Sequence, residues 1–208
     1  MATAPQRDFP LFPLEMVALP SEVVPLHIFE ERYKTMIDLC LDEEREFGIV
    51  WLSDDGLKAI GCACEVVEVI ERLEDGRLNI VTRGTRPVQI EERQEDLPFP
   101  AGLVTFPEDK DELPDAPTVA TAQEVYADLV EQVTDRRPTE EELAEMTAYS
   151  MAATVDFGPD AKQGLLDLRS ENARYRLLTR LLRAARRRLD AADKAQARAR
   201  TNGKVRFS

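Results

Sequence analysis

The spacing of apolar residues changes along the first 40 positions, and each change predicts an element. Residues 9–14, FPLFPL, place two prolines among large apolar side chains. Proline fixes φ and has no backbone N–H, so this segment is predicted to be an extended edge strand. From Ile28 to Cys40 the apolar positions recur every three or four residues. This spacing predicts an amphipathic helix that begins at Ile28.

Between residues 47 and 106 the pattern is typical of short strands joined by turns. The Asp75-Gly76 pair predicts a hairpin, because glycine readily adopts positive φ. The imperfect alternation at residues 65–68 predicts a bulge in a long strand. The predicted strands are 47–52, 59–73, 78–82, 88–93 and 103–106. Such a series favours a small barrel or sandwich, since closure removes exposed sheet edges.

The second half of the chain is predicted to be helical. Residues 107–117 are acidic and rich in proline, which indicates a solvated connector. One helix is predicted over residues 118–134. A second is predicted to start at Thr139, which forms a capping box with Glu142, and a short third helix is predicted to end at Leu168. A final helix is expected to be capped by Ser170 and to pack as far as about Leu189, with a loose end beyond it.

Several motifs occur in an order that resembles the amino-terminal substrate-binding domain of the Lon protease, particularly its stand-alone bacterial relatives. They are FPLFPL at 9–14, Pro20, PLHIFEERY at 25–33, DGRL at 75–78, Gly84 and the segment 151–183. The resemblance implies an α+β fold, with a PUA-like β-barrel over residues 1–110 and a helical bundle over residues 118–208 that ends in a basic tail.

The resemblance also implies that the chain binds unfolded or degron-bearing polypeptides, in partnership with a protease or without one. Its candidate binding residues are Phe29, Arg32 and Tyr33. Phe29 and Tyr33 share the apolar stripe of the predicted helix, so an alternative is that both are core residues. In that case Arg32 would pair with a nearby carboxylate.

Three positions depart from the pattern of that family. Ser21-Glu22 stands where a glycine pair is usual, Pro87 where an aromatic residue is usual, and Cys62 where a hydroxyl residue is common. We expect these changes to alter local turn geometry and leave the fold unchanged.

Composition and cysteine content predict a cytoplasmic protein. The 208 residues are 43% hydrophobic, enough for a sizeable core. The start MATAPQRDFP has no apolar secretory segment, and no apolar run reaches the roughly 18–20 residues of a membrane span. Cys40, Cys62 and Cys64 are an odd number of cysteines, which fits reduced thiols better than a disulfide framework.

Catalytic, metal and cofactor sites are not expected. Lon-type proteolysis needs a GxxxxGK[ST] loop and a Ser-Lys pair, and the sequence has no Gly-Lys-Ser or Gly-Lys-Thr, since Gly203-Lys204 is followed by valine. Cys62, Cys64 and the single histidine, His27, fall short of a usual zinc ligand set. The paired carboxylates are too abundant to indicate catalysis. We therefore predict binding without catalysis.

Charge leaves two alternative functions open. The net charge is −13, yet residues 180–208 hold ten Lys/Arg against two Asp/Glu. RNA binding through the basic tail, Arg183 to Arg206, is one alternative, although the acidic body and the shortage of aromatic residues in the tail speak against nucleic acid. A hydrolase with its site between barrel and bundle is the other. The oligomeric state is left open.

Overall fold

The computed structural model describes residues 4–202, in which strands precede most of the helices. The strands are β1 (Gln6–Leu14), β2 (Val23–Ile28), β3 (Phe47–Ser53), β4 (Gly56–Leu57), β5 (Ile60–Arg72), β6 (Leu78–Gln94) and β7 (Ala101–Thr105). The helices are α1 (Glu31–Asp42), α2 (Ala116–Thr134), α3 (Glu140–Ala144), α4 (Ala148–Ala152), α5 (Pro159–Leu166) and α6 (Glu171–Asn202).

Strand β1 closes the sheet into a barrel. The strands follow the order β1, β7, β6, β5, β3. The first strand, β1, pairs antiparallel with its neighbour β7 and also parallel with β3 at the far end of the series, which closes the sheet. A small apolar cluster draws side chains from each of these five strands, including Phe9, Leu11, Val50, Ala63, Val88 and Val104. The predicted extended segment at residues 9–14 is therefore confirmed, but it is an integral barrel strand with neighbours on both sides.

The predicted bulge in β5 is confirmed, and one predicted strand boundary is wrong. The register of β5 on β6 shifts between Val66 and Glu68, and also at two other places. The segments 78–82 and 88–93 were expected to be separate strands, yet both belong to the 17-residue strand β6. Gly84 and Thr85, between them, continue the strand because Gly84 pairs with Cys64 of β5, and Gly84 also exchanges backbone hydrogen bonds with the turn at Ser21 and Glu22.

The start of the first helix also differs from its prediction. Ile28 ends strand β2, where it pairs with Leu78, and the helix begins three residues later at Glu31. Strand β2 pairs with β6 alone among the described strands, so it tolerates Pro25 as an edge strand does. The apolar stripe of α1 is consequently shorter than expected and buries Tyr33, Met36, Ile37 and Cys40.

The helical half matches most of its predicted boundaries. Thr139 and Glu142 form the expected capping box, and Ser170 caps the last helix by accepting a hydrogen bond from the Ala173 N–H at 3.0 Å. Beyond Leu189, α6 continues as a helix to Asn202 within the described residues, and the loose end expected there stays a prediction. Alanine and arginine, which favour helix, dominate that stretch. The part of the predicted basic tail at residues 203–208 lies outside the described residues.

The acidic connector, residues 107–115, is exposed but anchored to the start of α6. The fully buried Arg174 forms ion pairs with Asp109 and Glu171, and its guanidinium lies 4.3 Å from the ring centre of Tyr149. The Lys110 N–H also donates to the Arg169 carbonyl at 2.9 Å. The connector therefore holds the helices in place through its carboxylates.

Gly84 permits the closest backbone contact between the barrel and the turn that follows β1. A Cβ atom there would lie 2.1 Å from the Leu19 carbonyl oxygen and 2.9 Å from the Cys62 sulfur. Ser21, at the head of this turn, has a φ of 70°. This left-handed conformation explains why glycine is usual at that position, and serine adopts it here at some energetic cost.

We predict that Gly84→Ala lowers the free energy of unfolding by about 3 kcal/mol, because neither the carbonyl nor the buried sulfur can move away without breaking other contacts. Urea unfolding followed by circular dichroism measures the change. The matched control is Gly164→Ala in α5, where a Cβ meets Leu177 at an ordinary 3.6 Å. That control is expected to gain about 0.5 kcal/mol from helix propensity. Equal stability of the two variants would contradict the close contact.

Candidate functional site

Two adjoining depressions form a groove at the end of the barrel where β1, β3 and β6 finish. They have volumes of about 360 and 330 Å³ and share Pro13, Arg32, Leu57, Arg93 and Pro100. We call these depressions together the barrel-end groove. The first is also lined by Leu11, Gln94, Glu95, Leu97, Pro98, Phe99 and Ala101, and the second by Phe12, Leu14, Glu30, Tyr33 and Leu52.

Two of the three predicted binding residues line this groove. Tyr33, in the first turn of α1, is buried, and its ring centre lies 4.1 Å from that of Phe12. The Arg32 guanidinium lies 4.5 Å from the Tyr33 ring centre and forms a 2.8 Å ion pair with Glu30. Burial raises the pKa of the Tyr33 hydroxyl, and Arg32 offsets part of this increase. Tyr33 thus forms part of the groove wall, as the alternative core interpretation also expected.

Phe29, the third predicted residue, lies apart from the residues that line the groove. It falls in the two-residue link between β2 and α1, and 59% of it is exposed. Its ring is stacked 5.9 Å from that of His27, whose Nδ1 lies 2.7 Å from the Asn79 side-chain oxygen. The expectation that Phe29 is a core residue is therefore wrong, since the helix begins after it.

The groove is mainly apolar and carries one arginine without a carboxylate partner. Among the described residues, the Arg93 side chain has no hydrogen-bond or ion-pair partner, whereas Arg32 is neutralised by Glu30. Leu52 is 46% exposed at one side of the groove. Pro13, Pro98 and Pro100 have no N–H to offer, so an incoming chain would meet side chains more than backbone donors.

Sequence patterns missed most of the groove. Leu52 lies in β3, and Leu57 lies in the two-residue strand β4, which was not predicted. Arg93 is the last residue but one of β6. The available signal was the proline-aromatic run Leu97-Pro98-Phe99-Pro100, which repeats the character of residues 9–14. Nothing in the sequence alone showed that these two proline-rich segments meet.

A second depression lies between the barrel and the helices, where the hydrolase alternative places its site. Its volume is about 380 Å³, and besides Glu15 and Asp156 its charged lining residues are Glu22 and Lys162. These two side chains are each 12% exposed and form a 2.5 Å ion pair, while Glu22 also accepts a hydrogen bond from the Leu19 N–H. The pair therefore joins the barrel to α5. Hydrolysis there and RNA binding through residues 183–206 stay predictions.

The cysteines form part of the core. Cys40, Cys62 and Cys64 are all buried free thiols. Burial raises the pKa of the Cys40 thiol to about 12 and that of Cys62 well above its ordinary value. Thiolates are thus disfavoured at these positions. Among the described residues, no cluster of three or more His, Cys, Asp or Glu side chains has the arrangement of a metal site.

The chain belongs to the family of the ATP-dependent protease La (LON) substrate-binding domain, because the model of that family matches residues 8–184. The predicted resemblance to stand-alone Lon amino-terminal domains is confirmed by this match.

Solved structures support the same fold. The Lon N-terminal domain protein from Xanthomonas campestris aligns with a TM-score of 0.65 at 23% identity, covering 82% of this chain and 96% of that one. The N-terminal domain of the Mycobacterium avium complex Lon protease also aligns with a TM-score of 0.65, at 18% identity, covering 84% of this chain and 97% of that one. The predicted α+β fold, a PUA-like β structure followed by helices, is confirmed.

Over residues 4–202, no helix is both long enough and apolar enough to cross a bilayer.

We predict that Lys162→Met lowers the free energy of unfolding by about 2 kcal/mol, because it leaves the Glu22 carboxylate in a poorly hydrated cleft without its cation. The control is Arg83→Met, which breaks an ion pair with Glu65 whose side chains are 55% and 42% exposed. That loss is expected to stay below about 0.5 kcal/mol. Denaturant titration of both variants compares them, and equal losses would show that the cleft pair does not join barrel and helices.

Proposed function

We propose that this protein is a polypeptide-binding module without a catalytic step of its own, which uses the barrel-end groove to hold exposed apolar segments of unfolded or degron-bearing chains. The observation that carries the proposal is the apolar, proline-lined groove with Arg32 and Tyr33 in its wall, on a chain of the Lon substrate-binding family. Phe29 is included as an exposed apolar contact beside α1.

The chemistry of the groove favours side-chain burial over strand addition. Its prolines offer no N–H groups, so a bound chain gains little from backbone pairing there. Burying a leucine-sized side chain contributes roughly 1.5–3 kcal/mol, from which the ordering of a flexible client must be subtracted. Two or three such side chains contribute roughly 3–9 kcal/mol before that subtraction, and only the upper end of this range supports an affinity of about 10 μM.

Selectivity for unfolded chains follows from the same chemistry. A folded client buries its large apolar side chains, whereas an unfolded one presents several in succession. Arg93 adds a cation without a described partner, which suits a client that carries a carboxylate next to its apolar residues. Recognition would thus depend on local composition more than on one fixed sequence.

The proposal has three further parts. A protease partner would degrade the bound chain. The protein would act in the cytoplasm, where buried free thiols stay reduced. Residues 1–110 and 118–208 would be a barrel subdomain and a helical subdomain, joined by the connector that Arg174 anchors.

We predict that Leu52→Ser weakens binding of a permanently unfolded, reduced and alkylated model protein at least about fivefold, because an apolar contact of roughly 1–2 kcal/mol is lost. Fluorescence anisotropy of the labelled client measures the dissociation constant. Leu52 is 46% exposed, so the fold should tolerate the change.

The matched control is Leu113→Ser in the connector, where the leucine is 90% exposed and lies outside the groove. The proposal requires that this control binds the client like the parent protein. Equal weakening by the two substitutions would place the binding surface elsewhere. No binding by the parent protein at tens of micromolar would overturn the function itself.

A further inference from the structure

Three arginines on α6 share one face and line a small depression against α2. Arg176, Arg180 and Arg183 follow one another at intervals of four and three, so their side chains project from the same side of the helix. The depression has a volume of about 220 Å³ and is completed by Thr118, Thr121 and Thr179. It shares no residue with the barrel-end groove.

These arginines differ from most others that the structure describes, which pair with carboxylates. Arg137 contacts Glu124, Asp128 and Glu131, for example. Among the side chains that the structure describes, those of Arg180 and Arg183 have no hydrogen-bond or ion-pair partner. Arg176 interacts electrostatically with Asp115, whose carboxylate accepts hydrogen bonds from the N–H and hydroxyl of Thr118. Two of the three guanidinium groups, those of Arg180 and Arg183, thus have no described counter-charge.

The neighbouring face of α2 contributes no carboxylate to the described lining of the depression, although Asp115 interacts with Arg176. The two helices run parallel, since the Asp115 N–H donates to Asn172 near their starts and Gln132 donates to Asp190 further along. Between these points, α2 gives Asp128 to Arg186 as an ion-pair partner. In the lining of the depression, α2 contributes the neutral side chains Thr118 and Thr121.

The threonines fix the walls of the depression and add no charge. Thr121 and Thr179 donate their hydroxyl protons to the carbonyls of Pro117 and Tyr175, at 2.7 and 2.8 Å. Thr118 is held by Asp115. The free donors in this depression are therefore the N–H groups of the three arginines, which project from a rigid helix.

We propose that Arg176, Arg180 and Arg183 form a binding site for a small phosphate-bearing anion with two or more negative charges, of which pyrophosphate is the simplest probe. Guanidinium groups bind phosphate oxygens through paired, charge-assisted hydrogen bonds. The volume is below the roughly 300–1,000 Å³ of drug-sized ligand sites, so it suits a compact ion. This inference goes beyond polypeptide binding and does not depend on it.

Titration calorimetry of the whole protein with pyrophosphate, at constant ionic strength in chloride buffer, tests the site. We expect saturable binding with a dissociation constant of about 1 mM or lower, since a few charge-assisted hydrogen bonds suffice for it. Arg180→Gln, at the centre of the three, is expected to weaken binding at least about fivefold. The binding should also weaken as sodium chloride is added.

The control variant is Arg188→Gln, which removes the same charge from another exposed position of α6. Arg188 lines a different depression, so the local site predicts unchanged pyrophosphate binding. Equal weakening by the two substitutions would reduce the effect to net charge and overturn the site. Absence of saturable binding below about 5 mM would also overturn it. If the protein bound an oligoribonucleotide through these arginines and did not bind pyrophosphate, that result would also overturn the proposed site.

Discussion

The fold depends on the close approach of the turn at residues 19–22 to Gly84 in the middle of β6. Gly84 donates its N–H to the Glu22 carbonyl and accepts from the Ser21 N–H, while the Leu19 carbonyl occupies the space where a side chain would stand. The Glu22 carboxylate then reaches the Leu19 N–H and Lys162 of α5. One short segment thereby connects barrel and helices through both its backbone and its carboxylate.

This contact also shapes the barrel-end groove. Strand β1 must end at Leu14 for the turn to reach Gly84, and its last residues then lie beside the start of α1 and the proline-rich segment before β7. Pro98 and Pro100 have no backbone N–H, which disfavours extension of the sheet by the segment before β7 and leaves apolar side chains uncovered at the barrel end. The groove is thus a consequence of how β1 closes the barrel.

Sequence patterns predicted the local elements well and their contacts poorly. The Asp75-Gly76 hairpin, the Thr139 capping box and the bulge in β5 depend on neighbouring residues, and all three were confirmed. The contacts of Gly84 in the middle of β6 are with Ser21 and Glu22, more than sixty positions away, and could not be found from local spacing. For the same reason Arg32 and Tyr33 were singled out, but Arg93, Leu52 and Pro100, which complete the groove, were not.

Hydrogen–deuterium exchange of the protein, with and without a saturating unfolded polypeptide, tests the central claim that clients bind at the barrel end. Amide exchange reports protection segment by segment, so it locates the contact without any substitution. The account predicts slower exchange in residues 93–103 and 30–34 and unchanged exchange in α2 and the described part of α6. Protection confined to the helices, with the barrel end unchanged, would contradict it.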